Sequence, residues 1–201
     1  AETITGGAAH FTYFASARLI DIFIGAGIGM LGIFFTSRKT ASTRIPRIMM
    51  RPIRNLSQLS LILFSEKDQN SAQKLEVRLA KLRTNMANLR ALYDAMLGEI
   101  PAKPHLIEYY WPIIYSLQRL AFLLELAAEN ETESLPKLSE RALADLLYLF
   151  ETLANAAGNL ESTSEKNIPH IPGFIGIEQE IQALQKAFQS PRGEKTEDTD
   201  N

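Results

Sequence analysis

Two charged residues beside an apolar stretch are the first whose types and spacing could do chemistry. Arg18 and Asp21 are three residues apart, so on a helix they share one face and can form an ion pair. A carboxylate in such a place could face a water-filled path and take part in moving an ion or a substrate. It could equally neutralise Arg18 or cap a neighbouring helix, because both residues lie at the end of the stretch. Both interpretations stay open.

The residue types that most often form catalytic or metal sites do not come together in this sequence. His10, His105 and His170 share no metal-ligand spacing, and the chain contains no cysteine. The zinc-protease, phosphate-loop and nucleophile-elbow motifs are all missing from the sequence. Glu99 and Glu108 flank a turn between two predicted helices, but two carboxylates alone only weakly indicate acid–base catalysis. We therefore expect no enzyme, no metal site and no cofactor.

The apolar stretch that follows Arg18 is long enough to cross a bilayer. From Leu19 to Phe35 it reads LIDIFIGAGIGMLGIFF, and its flanks bring it to the ~20 residues that a span needs. We predict a transmembrane helix over residues 17–37 and an extracytoplasmic lead-in over residues 1–16. A signal peptide would carry its positive charges before the apolar run, not after it. A start without methionine in a weakly patterned stretch favours the C-terminal part of a longer membrane protein.

Glycines inside this stretch allow two interpretations. Gly27, Gly29 and Gly32 match the dinucleotide-binding pattern G-x-G-x-x-G, but that motif needs further strands, and only helical patterns follow. Alternatively, Gly25, Gly29 and Gly32 form a face of small residues that lets another membrane helix approach closely. We favour the second interpretation, with the partner helix in the same chain or in a second one, including a homo-oligomer.

A basic segment follows the predicted span. Six basic residues and no acidic one lie between Ser37 and Asn55, which places this end of the span in the cytoplasm. Near the membrane these side chains can bind anionic lipid headgroups, each contributing about 1 kcal/mol. The candidates are Arg38, Lys39, Arg44 and Arg47. The segment contains no aromatic residue and the whole chain has a net charge of −2, so we expect no nucleic-acid partner.

The rest of the chain predicts an all-α fold. We expect a basic juxtamembrane linker over residues 38–51, a cytoplasmic helical bundle over residues 52–189 and a disordered tail over residues 190–201. Pro52 fits the first turn of a helix that ends at Phe64. The clearest repeat then alternates spacings of four and three, as in packed bundle helices; its residues are Leu75, Leu79, Leu82, Met86, Leu89, Tyr93 and Met96.

Two stretches resemble a known family. The run Arg18-Leu-Ile-Asp21-Ile-Phe-Ile-Gly25-Ala26 is similar to R-x-x-D-[ST]-x-x-G-[AG], the start of the last membrane helix in fusaric acid resistance-like (FUSC) proteins, also called aromatic acid exporters. KLRTNMANLRALYDAMLGEIP and IIYSLQRLAFLLELA resemble the cytoplasmic helices that follow in that family. The resemblance covers residues 14–130. Ile22 replaces the usual Thr or Ser, so a hydroxyl role at that position is lost.

This resemblance implies an inner-membrane protein with six-helix membrane units and a cytoplasmic helical domain. It also implies export of aromatic or other organic carboxylates driven by the proton gradient. Arg18 would then hold the anion or structure the outer mouth, and Asp21 would act as its counter-ion or as a proton carrier. The alternative is a single-pass membrane-anchored scaffold whose helical bundle binds partner proteins or self-associates.

Overall fold

Six helices make up the part of the chain that the computed structural model describes, which is residues 16–31, 40–65, 71–129, 135–159 and 161–189. The first, α1, covers residues 16–31. The others are α2 (Ala41–Phe64), α3 (Ser71–Leu97), α4 (Pro104–Glu129), α5 (Glu140–Asn159) and α6 (Ile175–Gln189). These described segments contain no strand, which confirms the all-α prediction and rules out the strands that a dinucleotide-binding interpretation needs.

Helix α1 belongs to the first of two structural units, Ala1–Thr40, and the other five helices belong to the second, Ala41–Asn201. None of the described helices combines the length and the apolar character needed to cross a bilayer. The predicted span over residues 17–37 includes residues 32–37, which lie outside the described residues. Residues 1–15 of the predicted lead-in and the whole of the predicted tail also lie outside the described residues.

Helix α2 is the central helix of the second unit. It packs against α3, α4 and α5, while α4 also packs against α6. One face of α2 carries apolar residues at helical spacing, and burial of that face holds the unit together. The fully buried members of this face are Ile45, Met49, Ile53, Leu56 and Leu59.

Helix α2 begins at Ala41, whereas the sequence placed its start at Pro52 and treated the preceding residues as a linker. Proline removes a backbone donor and crowds the preceding turn, which is why a helix across it was not expected. Here both Pro46 and Pro52 are buried inside the helix. The buried face extends back to Ile45, and its packing outweighs the intrinsic preference of the two prolines.

Helix α3 lies where its repeat predicts it. In α3 the seven repeat residues face the core, with Leu79 and Met86 partly buried and the other five fully buried. The helix ends at Leu97, and Gly98 turns the chain toward Pro101, whose preceding peptide bond is cis. Helix α4 continues through Pro112. A turn with Gly173 at a φ of 81°, in the left-handed region that suits glycine, leads into α6.

Candidate functional site

The structure places Arg18 and Asp21 on α1, one turn apart, and both side chains are exposed. No ion pair joins these two described residues, so their carboxylate and guanidinium are accessible to groups outside the helix. Their positions on one face match the sequence prediction of a shared surface. Whether that surface has a role in transport stays a prediction.

Around these two charges, α1 is apolar on every side. Its large apolar side chains are each more than half exposed, and none packs into a core. They are Leu19, Ile20, Ile22, Phe23, Ile24, Ile28, Met30 and Leu31. A helix that is apolar all round is the kind found within a membrane or within the core of a large protein.

The glycine face of α1 is open. A methyl group built on Gly25 or Gly29 would meet no described atom within 4 Å, so no described residue approaches the face closely. Gly32, the third member of the predicted face, lies outside the described residues. The two described glycines therefore leave room for a neighbouring helix at close range.

Four arginines follow one side of α2 at spacings of three, four and three, and we call them the basic stripe: Arg44, Arg47, Arg51 and Arg54. All four are exposed. Arg54 binds the α5 carboxylate of Glu151 through two hydrogen bonds of 2.5 and 3.1 Å, and this raises its pKa. The other three make no ion pair with any described residue. Of the predicted headgroup ligands, Arg44 and Arg47 thus stand exposed, and Arg38 and Lys39 lie outside the described residues.

Beside the start of the basic stripe, three side chains tie the first turn of α2 to the α3–α4 turn. We call Ser42, Glu99 and Lys103 the Glu99 clamp. Glu99 Oε1 accepts a hydrogen bond of 2.7 Å from the backbone N–H of Ser42. Lys103 Nζ donates to Ser42 Oγ at 2.8 Å and lies 3.5 Å from Glu99 Oε2. A carboxylate at a helix N-terminus satisfies one of its free N–H groups and opposes the positive end of the helix dipole.

The surroundings of Glu99 favour its charged form. Burial alone would raise its pKa. Hydrogen bonds from the backbone and side chain of Ser42, and the charge and hydrogen bond of Lys103, outweigh that effect, so the pKa lies below its ordinary value. Glu99 is therefore a structural carboxylate that fixes the beginning of α2, whereas its position in the sequence indicates only weakly a role in acid–base catalysis.

The Glu99 clamp also brings two exposed apolar side chains to the end of the bundle where α2 begins. Leu97 is half exposed and Ile100 is 98% exposed. Because α2 follows directly on the apolar segment in sequence, this end of the bundle is the one nearest to that segment along the chain. Exposed apolar side chains and exposed arginines at one end of a bundle are typical of surfaces that contact membrane headgroups.

A second exposed apolar surface runs along α4, and we call it the α4 face. Trp111 stacks on Tyr115 with ring centroids 6.3 Å apart, and the guanidinium of Arg119 lies 5.8 Å from the Tyr115 ring. Phe122 and Leu126 continue the row toward the end of the helix, and both are exposed. Tyr109 and Tyr110, which precede Trp111 directly in sequence, are buried instead and belong to the core.

The remaining chemical candidates do not converge. Among the described residues, no group of three histidine or acidic side chains could hold a metal ion. His170 Nδ1 lies 2.9 Å from Glu178, whereas His105 lies at the start of α4 and His10 is outside the described residues. Glu108 is exposed on α4 and takes no part in the Glu99 clamp.

The chain is similar to an uncharacterized membrane protein of Bacillus subtilis (strain 168), YvaC. The two are 29% identical over 183 residues, which is 91% of this chain and 27% of YvaC. The chain thus spans about a quarter of the length of that relative. No protein-family model matches the chain, and no solved structure matches it. The resemblance to the FUSC family therefore stays a prediction.

Proposed function

We propose that the chain is part of an integral membrane protein in which α1 forms the first part of a bilayer-spanning helix over residues 17–37. The observation that carries this proposal is the exposure of large apolar side chains on every side of α1. Removal of these eight side chains from water would contribute a free energy on the order of 10 kcal/mol. Lipid and neighbouring membrane helices would supply that cover. The similarity to YvaC, a membrane protein by its description, supports the same conclusion.

The residues that follow α1 in sequence support an orientation with the bundle in the cytoplasm. Arg44 and Arg47 of the basic stripe are exposed and have no carboxylate partner among the described residues. In this proposal they bind anionic lipid of the inner leaflet, as do Arg38 and Lys39. Ile100, at the same end of the bundle as the start of α2, would enter the headgroup layer.

We further propose that the complete protein exports aromatic or other organic carboxylates across the inner membrane with the proton gradient as the driving force. The similarity of residues 18–26 to the FUSC motif supports this, as does the exposed position of its two charged residues. Arg18 would attract the anionic substrate, and Asp21 would serve as its counter-ion or carry the proton. The open face at Gly25 and Gly29 would take a second helix of the transport unit.

The membrane placement can be tested with single cysteines, because the chain has none of its own. The 201-residue chain is reconstituted in lipid vesicles with Phe23→Cys on α1 or Tyr148→Cys on α5, two positions that are both exposed in the structure. A membrane-impermeant maleimide should label Tyr148→Cys and leave Phe23→Cys unlabelled until detergent is added. Equal labelling of both cysteines before detergent would rule out the span.

Export is tested in the complete gene product that contains this chain. Cells that produce it should accumulate less radiolabelled benzoate than cells without it, and collapse of the proton gradient should remove the difference. Asp21→Asn should abolish export or change its pH dependence, whereas Asp145→Asn, an exposed change on α5, should leave it intact. Normal export and a normal pH profile with Asp21→Asn would exclude the proton-carrier role.

The α4 face favours a second candidate function, a membrane-anchored scaffold that binds another protein. Its four exposed apolar side chains are Trp111, Tyr115, Phe122 and Leu126. A photocrosslinker placed at Phe122 would discriminate between a scaffold and an exporter in cells. The same photocrosslinker placed at Glu140 is the control. A scaffold should yield one protein adduct from Phe122 alone and show no benzoate export.

A further inference from the structure

A cavity between α2 and α3 is lined only by basic and amide side chains. Its volume is about 370 Å³, within the range of about 300–1,000 Å³ that is usual for small-molecule sites. Helix α2 contributes four residues that share one face by their spacing, and α3 contributes two residues one turn apart. The six are Arg51, Arg54, Asn55, Gln58, Lys81 and Asn85.

The charges of this cavity are unbalanced. Arg54 is neutralised by Glu151 of α5 through their paired hydrogen bonds. Arg51 and Lys81 form no ion pair with any described residue, and no acidic side chain lines the cavity. Two positive charges are therefore left without compensation at this place on the bundle. Clustered cations repel each other unless an anion binds between them.

Asn55 supplies an independent indication that the cavity binds a ligand. Its side chain is only 5% exposed, yet its Nδ2 makes no hydrogen bond. Buried amides almost always have partners, and an unmade hydrogen bond costs about 1–3 kcal/mol. The amide oxygens of Gln58 and Asn85, which also line the cavity, do not accept from it, and an anion held by the neighbouring cations would bring an acceptor to this donor.

We propose that this cavity is a binding site for a dianionic phosphate group. Phosphate offers acceptor oxygens to Asn55 Nδ2, to the planar guanidinium of Arg51 and to the Lys81 ammonium at the same time. Its two negative charges match the two uncompensated cations. A monocarboxylate would leave one of those charges unpaired. The site is independent of the proposed transport function, because none of its residues lies on α1.

The phosphate could come from a soluble phosphate ester or from a lipid headgroup. Asn55 lies fourteen residues after Ala41, about 21 Å along the axis of α2 from its beginning. That distance favours a soluble ester over a lipid bound at the start of the helix. The chemistry of recognition is the same for both, and competition separates them.

The test uses the whole 201-residue chain in detergent micelles with ¹⁵N-labelled asparagine, titrated with inorganic phosphate at constant ionic strength near neutral pH. The side-chain amide signals of Asn55 should shift and saturate. Arg51→Gln and Lys81→Gln should each weaken the affinity at least about tenfold, as expected for a lost hydrogen bond to a charged group. Arg141→Gln removes the same charge from an exposed position on α5 outside the cavity, and it should change the affinity less than about twofold.

Three results would overturn the proposal: an unchanged Asn55 signal, a shift that never saturates, or equal weakening by Arg141→Gln and Arg51→Gln, which would indicate diffuse surface charge. Asn55→Leu, followed at the side-chain amide of Asn85 in the same cavity, should bind phosphate more weakly without losing stability in phosphate-free buffer, because a buried unpaired donor is removed. If that variant does not fold, Lys81→Gln, at an exposed position, still decides the question.

The source of the phosphate is decided by competition. Phosphatidylcholine vesicles with and without phosphatidic acid are added to the phosphate-bound chain. Displacement of inorganic phosphate only by the vesicles that contain phosphatidic acid would support the site with a lipid headgroup as its ligand. The site would instead bind a soluble ester if neither kind of vesicle displaced inorganic phosphate and glycerol 3-phosphate bound saturably. Arg51→Gln should then weaken the binding of glycerol 3-phosphate.

Discussion

Glu99 Oε1 accepts a hydrogen bond from the backbone N–H of Ser42 at 2.7 Å, although 57 residues separate the two in sequence. This contact joins the α3–α4 turn to the first turn of α2, the helix against which α3, α4 and α5 pack. Lys103 completes the arrangement by binding both partners. The beginning of α2 is thus fixed by a side chain from a distant turn.

The first prediction concerns the stability of this contact. Glu99→Ala should lower the free energy of unfolding by about 1–3 kcal/mol, because it removes a helix cap and leaves Lys103 without its carboxylate. Urea unfolding followed by far-UV circular dichroism measures the loss. Glu108→Ala, an exposed change nine residues further on, should stay within about 0.5 kcal/mol. Equal effects of the two changes would contradict the capping role.

The second prediction is the pH dependence that follows from the lowered pKa of Glu99. A carboxyl whose native pKa lies below its unfolded value stabilises the fold above the unfolded value, here about 4.5, and loses that contribution as pH falls toward the native pKa. Stability should therefore fall more steeply with acid in the wild type than in Glu99→Gln. The free energies of unfolding of the wild type and of Glu99→Gln, measured on both sides of this pKa, should converge at low pH. A constant difference between the two proteins at every pH would contradict this assignment.

Much of the bundle was predictable from spacing alone. The repeat from Leu75 to Met96 required an α3 seam, and the structure buries or partly buries every member. The repeat is informative because apolar periodicity reports which side of a helix loses contact with water. The resemblance of the Arg18–Asp21 motif to an exporter family came from sequence as well, and it stays a prediction.

The contacts between helices were not predictable, because they depend on how helices are aligned with each other. Nothing in the sequence near Glu99 shows that it reaches Ser42, and nothing near Asn55 shows that its amide is buried beside Lys81. The start of α2 was missed for another reason. Local proline preference predicts a break at Pro52, and only the tertiary packing of the preceding turns overrides it.

The third prediction tests that extension of α2. Ile45 is completely buried in a stretch that the sequence assigned to a linker. Ile45→Ala should therefore cost about 2–5 kcal/mol of unfolding free energy, as expected for a large side chain removed from a core. Arg44→Ala, its exposed neighbour, is the matched control and should change stability by less than about 0.5 kcal/mol. A small effect at Ile45 would show that these residues do not pack as a helix.

The fourth prediction concerns a contact between α2 and α5 at Gly158 and Met50. A methyl group at Gly158 would overlap the thioether of Met50, so that flexible side chain has to move aside before a larger residue fits there. Gly158→Val should destabilise the unit by about 1–3 kcal/mol through overpacking. In a Met50→Ala background, Gly158→Val should lower the stability much less. Thermal unfolding of the wild type, the two single variants and the double variant measures this coupling. Additive effects would show that the two residues do not touch.

The fifth prediction addresses the open face of α1. If a membrane helix packs against Gly25 and Gly29, then Gly29→Leu should weaken that contact, because a large side chain holds the backbones apart. Gly27→Leu makes the same change about 200° around the helix, where no contact is expected. Energy transfer between donor- and acceptor-labelled copies in lipid vesicles reports the contact when the partner is a second chain. We expect Gly29→Leu to reduce transfer and Gly27→Leu to leave it unchanged. A different result would place the partner helix within the same chain. In that case both variants show the energy transfer of the wild type, and Gly29→Leu, but not Gly27→Leu, abolishes export by the complete protein.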